Sequence, residues 1–346
     1  MSIHGVILIT GFNTWIEPRT NKPSSQVVAF QQGFSLIDFV KQMTERRDLV
    51  HPDLKRSLPL LRMASNISKI DKGFSRDQKY MIDGTYLLRV FESENTLDRQ
   101  KEFETIRMLA AYSDFIPKAV SFHIFDEIGL SCMVLTYLPG EDGEVALPVL
   151  AGTKQYDAGF QAGEELKKLH QLQAPANLPA WEVQKKQKSD TYLNALEELE
   201  DIDTEMKTTL CTYIRNHEYL LRARPQTIQH DDFHPANLLI HKERFAGIID
   251  FQRMDWGDPV HDLHKLGFFF SRISVPFTRG VVDGYHAQTG VPETFWERYT
   301  LYSAMHVVSA LVWGERIGSF PKMLAFSKDV LRDHDNFHRF IPKWYV

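Results

Sequence analysis

The stretch IQHDDFHPANLLIHKERFAGIIDFQRMDWGDPVHDL, residues 228–263, contains six aspartates, four histidines, one asparagine and two short apolar runs. The runs NLLIH (237–241) and FAGIID (245–250) are separated by KER, and this pattern predicts a β-hairpin. The hairpin would bring together three flanking side chains: Asp232, Asn237 and Asp250.

Those three side chains suit phosphoryl transfer. This reaction needs little covalent chemistry from the protein, but it needs Mg²⁺ on the phosphate oxygens and a carboxylate near the acceptor hydroxyl. Mg²⁺ prefers hard oxygen ligands, which Asn237 and Asp250 supply. Asp232 is placed to orient or deprotonate an acceptor.

HDDFHPAN, residues 230–237, resembles the catalytic loop of the aminoglycoside phosphotransferase/choline kinase family, which reads His-Gly-Asp-x-x-x-x-Asn. IIDF (248–251) and GDPVHDL (257–263) resemble the metal motif and the segment that follow it in the family. The sequence departs at Asp231, where the family usually has glycine. The resemblance implies an α+β, two-lobed, protein-kinase-like fold with a β-rich N-lobe and a mainly helical C-lobe.

The resemblance extends to a basic residue on an N-lobe strand that contacts the nucleotide phosphates and pairs with a helix carboxylate. Arg89 in YLLRVF occupies the matching place, where many relatives have lysine. Because arginine binds in a bidentate way and lysine acts as a point charge, the two are not interchangeable. Glu102 is the preferred partner by spacing, and Glu104 is the second choice.

Two further segments resemble nucleotide-binding parts of the family. KGFS, residues 72–75, is similar to the turn that covers the phosphates, and TYLPGED, residues 136–142, is similar to the segment between the lobes. The expected nucleotide contacts in them are Gly73, Ser75, Thr136 and Leu138.

The chain divides by composition into three parts. Residues 1–63 form an N-terminal extension of unknown role, residues 64–138 a nucleotide-binding N-lobe, and residues 139–346 a C-lobe with the catalytic loop and the substrate site. In the extension, GVILITGF (5–12) is shorter than the roughly 20 apolar residues that span a bilayer, and we expect a buried strand or a loose segment. The extension ends in partly helical sequence, with Pro52 and Pro59 as breaks.

In the N-lobe, the Asp-Gly pair at 83–84 predicts a hairpin turn. The following segment ENTLDRQKEFETIRMLAAY has helical spacing. Its expected apolar face is Leu97, Phe103, Ile106 and Leu109–Ala110.

The composition excludes several partners. With a net charge of −5 and a pI of about 6.3, no basic field favours nucleic acid or an anionic membrane. The two cysteines, Cys132 and Cys211, give no disulfide framework and fit a reducing cytoplasm. The oligomeric state stays open.

For the residues beside the motif we expect mainly structural roles. We expect His230 to pack within the loop and hold Asp232 or Asp250, His234 to be a loop residue near the substrate, and Asp258 to stabilise the catalytic loop.

Two other functional classes stay open. A catalytically weak pseudokinase or binding protein would keep the fold without the transfer. A metal-dependent hydrolase would use the local histidines and aspartates, beginning with HDDFH. The Phe-His-Pro sequence, however, breaks a helix, so His230 and His234 lack the one-face spacing that such sites use.

The acceptor is open among an aminoglycoside or other antibiotic, an amino alcohol and a sugar, and the donor is ATP or GTP. A cationic aminoglycoside would need an acidic pocket, although the available acids are typical of a solvated helix face. These acids are Glu197, Glu198, Glu200, Asp201 and Asp203. Late aromatic residues offer an apolar alternative, although their helical spacing favours core packing: Phe268, Phe269, Phe270, Trp296, Tyr299 and Trp313.

Overall fold

The Asp83-Gly84 pair turns the chain between two strands in the computed structural model, which describes residues 50–72 and 75–346. Both residues have positive φ angles, 49° and 63°. Glycine adopts this backbone region without steric cost, and aspartate tolerates it. The turn places Ile82 opposite Tyr86 in antiparallel register, so the predicted hairpin is confirmed.

The N-lobe is built on an antiparallel sheet whose strand order is β1-β2-β3-β5-β4. Gly129, with a φ angle of 65°, closes the hairpin between β4 and β5. Short 3₁₀ helices cover Ser93–Asn95 and Asp126–Ile128. The strands are β1 (Ile67–Ile70), β2 (Gln78–Ile82), β3 (Tyr86–Glu92), β4 (Ala119–Phe125) and β5 (Leu130–Thr136).

The predicted N-lobe helix is present at Thr96–Leu109. It is labelled α3, because two short α-helices precede it in the described part of the chain. Phe103 and Ile106 are buried, and the ring of Phe103 lies 5.6 Å from the ring of Phe122 on β4. Leu97 was expected on the same face, but it is 73% exposed. Leu97 precedes Ile106 by nine residues, which at about 100° per residue places the two on opposite sides of the helix, so its assignment to the apolar face was wrong.

Pro52 and Pro59 begin helices, and they were expected to break them. Helix α1 covers Pro52–Ser57 and helix α2 covers Pro59–Met63. Proline is tolerated at the first helical position because the amide that it lacks would have no partner there. The predictions for residues 1–49 lie outside the described residues.

The C-lobe is mainly helical, as expected. Its last two long helices are separated at Gly318, which has a φ angle of 70°. The helices are α4 (Gly143–Ala146), α5 (Gly152–Leu169), α6 (Trp181–Glu197), α7 (Thr204–His217), α8 (Ser271–Ile273), α9 (Val275–Tyr285), α10 (Glu293–Arg316) and α11 (Phe320–Asp333). Tighter or wider helical turns cover Leu147–Val149, Glu218–Leu221, Pro235–Asn237, Phe251–Arg253, Pro259–Lys265 and Leu266–Phe270.

Helices α5 and α9 pack backbone against backbone along a glycine seam, formed by Gly159, Gly163, Gly280 and Gly284. A Cβ atom on any of these glycines would overlap backbone atoms of the facing helix. The seam therefore fixes the distance between the two helices.

Two small sheets contain the strands on either side of the loop formed by residues 230–237. Strands β6 (Glu141–Asp142), β8 (Leu238–His241) and β9 (Arg244–Ile248) form one, and β7 (Thr227–Gln229) pairs with β10 (Asp255–Gly257) in the other. Lys242 and Glu243, both with positive φ angles, make the turn between β8 and β9. This is the predicted hairpin. No helix of the described residues is long and apolar enough to cross a membrane.

Candidate active site

The β8–β9 hairpin brings Asp232, Asn237 and Asp250 to one end of its sheet. Asn237 Nδ2 donates to the carbonyl oxygen of Asp232 over 3.0 Å and lies 3.4 Å from Asp232 Oδ2. The amide of Ile249 donates to the carbonyl oxygen of Asn237 over 3.0 Å, which places Asp250 beside Asn237. Asp250 adopts a left-handed conformation, with a φ angle of 67°, as the chain leaves β9.

This corner fits a divalent cation with hard ligands. Because the amide nitrogen of Asn237 is held by Asp232, its oxygen faces away from that contact. Within the described residues, no hydrogen bond or ion pair engages the Asp250 carboxylate. One amide oxygen and one free carboxylate match the protein ligands that Mg²⁺ takes beside phosphate oxygens.

Asp232 is held as a carboxylate. Lys265 Nζ lies 2.7 Å from Oδ1, and His234 Nε2 lies 3.6 Å from Oδ2. Burial alone would raise the pKa of Asp232, but the His234 and Lys265 contacts outweigh it and lower this pKa well below its ordinary value. The side chain is 21% exposed, so one edge stays open to a ligand.

A second carboxylate fixes the backbone of this loop. Asp262 accepts from the amides of His230 and Asp231, each over 2.7 Å, and from His170 Nε2 over 3.0 Å. The motif GDPVHDL predicts this loop-stabilising role for Asp258. Asp258 instead accepts from the side chains of Arg224 and Tyr302, so the loop clamp is Asp262.

The two loop histidines are engaged locally. His230 Nδ1 accepts from the amide of Asp232 over 3.3 Å, and Nε2 contacts the carbonyl oxygen of Ile249 over 2.9 Å. His230 thus ties the catalytic loop to the residue before Asp250, in line with its expected role. His234 Nδ1 accepts from the amide of Ala236 and caps the turn that leads to Asn237.

Asp231 occupies the position where the family usually has glycine, and its φ angle is 56°. This is the left-handed region that glycine adopts most easily and that aspartate tolerates better than most residues. Its Oδ1 atom lies 3.4 Å from Nδ1 of His261, away from the Asn237–Asp250 corner. The extra carboxylate is therefore directed towards the C-lobe helices.

Arg89 and Glu102 meet in the N-lobe. Arg89 Nη1 donates to Glu102 Oε1 over 2.5 Å, and both side chains are buried. Glu104 forms an exposed pair with Arg107 instead.

Asp77 joins the Arg89–Glu102 pair. No motif in the sequence predicts this third member of the ion-pair network. Its carboxylate contacts the guanidinium groups of Arg89 and Arg99. Burial raises the pKa of Asp77, but the two guanidinium groups outweigh this effect and lower it overall. The guanidinium charge of Arg89 is thus shared with two carboxylates.

The other expected nucleotide contacts are spread along the cleft side of the N-lobe. Ser75 Oγ accepts from the amide of Asp77 over 3.2 Å. Thr136 Oγ1 accepts from the amide of Lys118 over 2.8 Å, at the end of β5. The side chain of Leu138 packs against Gly247 of β9. Gly73 lies outside the described residues.

The acids suggested for a cationic pocket lie at the connection from α6 to α7. Asp203 caps α7, and Glu197 Oε1 accepts from the thiol of Cys211. Of the late aromatic residues, Phe268, Phe270, Trp296 and Tyr299 are buried in the core, and Trp313 is 47% exposed.

Two of the histidines considered for a metal-dependent hydrolase, His261 and His264, lie with their rings 4.4 Å apart, but they form no metal site with the other described side chains. Within the described residues, no group of three His, Cys, Asp or Glu side chains is arranged to hold a metal ion. His261 contacts Lys185, and His264 contacts the carbonyl oxygen of His261.

The sequence profile of the phosphotransferase enzyme family matches residues 66–302. The chain belongs to this family. The predicted family and the predicted enzyme class, a phosphotransferase of the small-molecule kinase type, are thereby confirmed at the level of the family. No curated protein sequence matches this phosphotransferase significantly.

Solved structures match the phosphotransferase over most of its length. The GDP and kanamycin complex of APH(2'')-IIia gives a TM-score of 0.63 at 18% identity, covering 84% of this chain and 98% of that one. The ADP-bound aminoglycoside phosphotransferase APH(2'')-Ib gives 0.59 at 17% identity, covering 86% and 100%. The streptomycin–ATP complex of APH(2'')-IIa gives 0.55 at 18% identity, covering 91% and 100%. At these identities the likeness establishes the fold, and the expected kinase-like α+β architecture is confirmed.

Proposed function

We propose that this phosphotransferase moves the γ-phosphate of ATP or GTP to a hydroxyl group of a small molecule, with Mg²⁺ as the metal. The observation that carries the proposal is the convergence of Asp232, Asn237 and Asp250 at the end of one hairpin. These are the groups that the reaction needs: an ionised carboxylate for the acceptor and hard oxygen atoms for a metal.

Each group has a distinct task. Asp232 accepts a hydrogen bond from the acceptor hydroxyl and aligns it for in-line attack. The ammonium group of Lys265 keeps Asp232 ionised. The oxygens of Asn237 and Asp250 hold Mg²⁺, which would offset the negative charge of the phosphate oxygens. Positioning and electrostatics, rather than a covalent intermediate, then lower the barrier.

The donor is proposed to lie on the N-lobe side of the site. Arg89, oriented by Glu102, faces its phosphates, and the KGFS turn with Gly73 and Ser75 covers them. Thr136 and Leu138 lie beside the base. Residues 64–138 are thus the nucleotide-binding part, residues 139–346 carry the acceptor site, and the role of residues 1–63 stays open.

Proteins of the same fold support this donor and acceptor pair, since their complexes contain GDP, ADP or ATP together with kanamycin or streptomycin in two cases. An antibiotic, an amino alcohol and a sugar all carry the required hydroxyl. We place the reaction in the cytoplasm, where the nucleotide is available.

A second candidate is a nucleotide-binding protein with little transfer activity. The contact of Asp77 with Arg89 favours it, because a nucleotide must share the guanidinium with that carboxylate. The two candidates differ in turnover and agree in nucleotide binding.

The first experiment is a thermal-shift titration with ATP and GTP, each with and without Mg²⁺. A ligand at 100 times its Kd stabilises the native state by about 2.7 kcal/mol. We expect a Mg²⁺-dependent shift with one nucleotide, which Asp250→Asn removes and the control Asp255→Asn keeps. No shift with either nucleotide would refute both candidates.

The second experiment separates the candidates. Asp232→Asn should keep the Mg-nucleotide shift and lose about 10²- to 10⁴-fold in kcat with an acceptor found by screening. Turnover at the wild-type rate in this variant would refute the role of Asp232. Nucleotide binding without turnover of any hydroxyl compound would favour the second candidate.

A further inference from the structure

Lys185 is a buried lysine that has no role in the reaction described so far. It lies on α6 and is 9% exposed. Its ammonium group lies 5.6 Å from the ring centre of Trp181 and 5.8 Å from that of Tyr302. No carboxylate within the described residues forms an ion pair with it. Burying a charge without a partner is costly, so such a group is retained where it has a task.

Lys185 is connected with the loop that contains Asp231 and Asp232 through its contact with His261. Its Nζ donates to Nε2 of His261, which leaves the ring proton on Nδ1, and Nδ1 lies 3.4 Å from Oδ1 of Asp231. The backbone carbonyl of Asp231 accepts from Lys265, the lysine that also contacts Asp232. Asp231 therefore connects the Lys185–His261 contact with Lys265 and, through that lysine, with Asp232.

His306 on α10 faces the same space. Its ring lies 4.6 Å from the ring of His264, which in turn lies 4.4 Å from the ring of His261, the partner of Lys185. Its Nε2 atom is shielded from solvent and has no hydrogen-bond partner within the described residues. A bound ligand would give this buried nitrogen the partner that it lacks.

The surface above this cluster is also cationic. Lys188, one helical turn after Lys185, is exposed and forms no ion pair within the described residues. Asp231 lies on the His261 side of this cluster, and burial raises the pKa of its carboxyl group. Glu197, the first of the suggested acids, is 12 residues further along α6, which is about 18 Å at the helical rise.

We infer that Lys185, Lys265 and His306 form an anion-binding subsite beside Asp232, and that the acceptor carries a carboxylate or phosphate group as well as the hydroxyl that receives the γ-phosphate. The inference rests on the proposed function, since it takes Asp232 as the carboxylate for the acceptor. A polycationic acceptor would place its ammonium groups against two lysines. An anionic acceptor would supply the missing partner of Lys185 and a proton acceptor or donor for His306.

The test is a thermal-shift titration with inorganic phosphate and with acetate, at saturating Mg²⁺ and AMP-PNP. The nucleotide fills the donor site, so phosphate cannot bind there. We expect a saturable rise in Tm for the wild type with at least one anion, and which anion acts distinguishes a phosphate-bearing from a carboxylate-bearing acceptor. An equal, non-saturating rise in all variants is a general salt effect and would overturn the inference.

The variants are Lys185→Met and its control Lys186→Met, whose lysine is exposed and pairs with Asp190 and Glu218. Lys185→Met should weaken anion binding about tenfold or more, which corresponds to one lost charged hydrogen bond. Lys186→Met should bind as the wild type does. His306→Phe is a second variant, with a several-fold loss expected, and it serves if Lys185→Met does not fold.

The failure of this inference differs from that of the proposed function. Absence of stabilisation by Mg²⁺ and AMP-PNP, before any anion is added, is a failure of the function. Normal nucleotide binding without saturable anion binding is a failure of the inference alone. Phosphorylation of kanamycin with the same KM in wild type and Lys185→Met would overturn it as well.

Discussion

The ammonium group of Lys265 lies 2.7 Å from Oδ1 of Asp232, the carboxylate proposed to orient the acceptor. The lysine is on the 3₁₀ helix Pro259–Lys265, 33 residues beyond the aspartate, and is nearly buried. The other oxygen, Oδ2, has only longer contacts, 3.4 Å to Asn237 Nδ2 and 3.6 Å to His234 Nε2, and is the atom that we expect a hydroxyl group to reach. A charge-assisted hydrogen bond in such a place holds the acceptor group both ionised and oriented.

Lys265→Met should therefore lower kcat by about 10- to 100-fold, which corresponds to the loss of one hydrogen bond to a charged group. The KM for the nucleotide should change little, because the lysine contacts the acceptor side of the site. Steady-state kinetics separate the two constants. Lys118→Met, which removes an exposed pair with Asp114, is the control. An unchanged kcat would show that Asp232 needs no help from Lys265.

Asp231 permits a test of backbone against side chain. Asp231→Gly should fold with a stability within about 1 kcal/mol of the wild type, since glycine adopts the φ angle of 56° freely. Asp231→Val should cost about 1–2 kcal/mol or more, because a branched side chain resists this region. Chemical denaturation measures both. Equal stability of the two variants would mean that the loop relaxes out of the left-handed conformation.

Glu102 and Glu104, both on α3, allow a buried ion pair to be compared with an exposed one. Glu102→Gln leaves two buried guanidinium groups with one carboxylate fewer, and breaking such a buried pair costs about 3–5 kcal/mol. Glu104→Gln removes an exposed pair with Arg107 and should stay within about 0.5 kcal/mol. Urea unfolding of both variants decides the matter, and a similar loss in the two would contradict the assignment of Glu102.

Lys185 predicts a pH dependence of stability. Burial lowers its pKa from 10.5 to about 7. Between those two values the unfolded chain binds more protons than the native one, so the stability contributed by this group rises with pH in that window. Below about pH 7 both states are protonated, and the full penalty of burial is present.

Lys185→Met should consequently be more stable than the wild type at pH 7, and this advantage should shrink by pH 10. Each pKa unit corresponds to about 1.4 kcal/mol, so the difference amounts to several kcal/mol at most. Tm values of the two proteins at pH 6, 7, 8.5 and 10 provide the measurement. A constant difference across this range would mean that Lys185 titrates normally.

The parts of the fold that depend on neighbouring residues were predictable from the sequence. The Asp83-Gly84 turn and the β8–β9 hairpin have turn residues between apolar runs, and both form as expected. Leu97 shows how periodicity is misapplied: it lies nine residues before Ile106, about half a rotation away from the buried face, while its neighbour Thr96 contacts Ser131 of the sheet. Pro52 and Pro59 begin helices, whereas the sequence predicts breaks there. A proline that starts a helix and one that follows the end of a helix cannot be distinguished from the sequence alone.

The site divides in the same way. Asp232, Asn237 and Asp250 lie within 19 residues of one another, and a motif relates them. Lys185 and His261 are 76 residues apart, and only the packing of α6 against the segment Pro259–Lys265 brings them together. Asp77 carried no motif at all. The Lys265 contact had a faint signal, since this lysine follows Asp262 by three residues in a helical segment.

The glycine seam between α5 and α9 has a consequence for mutational tolerance. His170, the residue that follows α5, contacts both Tyr285 of α9 and Asp262, the carboxylate that holds the backbone of His230 and Asp231. A single methyl group at Gly163 would push the helices apart, and the displacement would pass through His170 to the loop. In a library of random variants, we therefore expect loss of activity on substitution of the four seam glycines, although they lie outside the proposed active site. Gly84, with open space around its Cβ position, would tolerate asparagine.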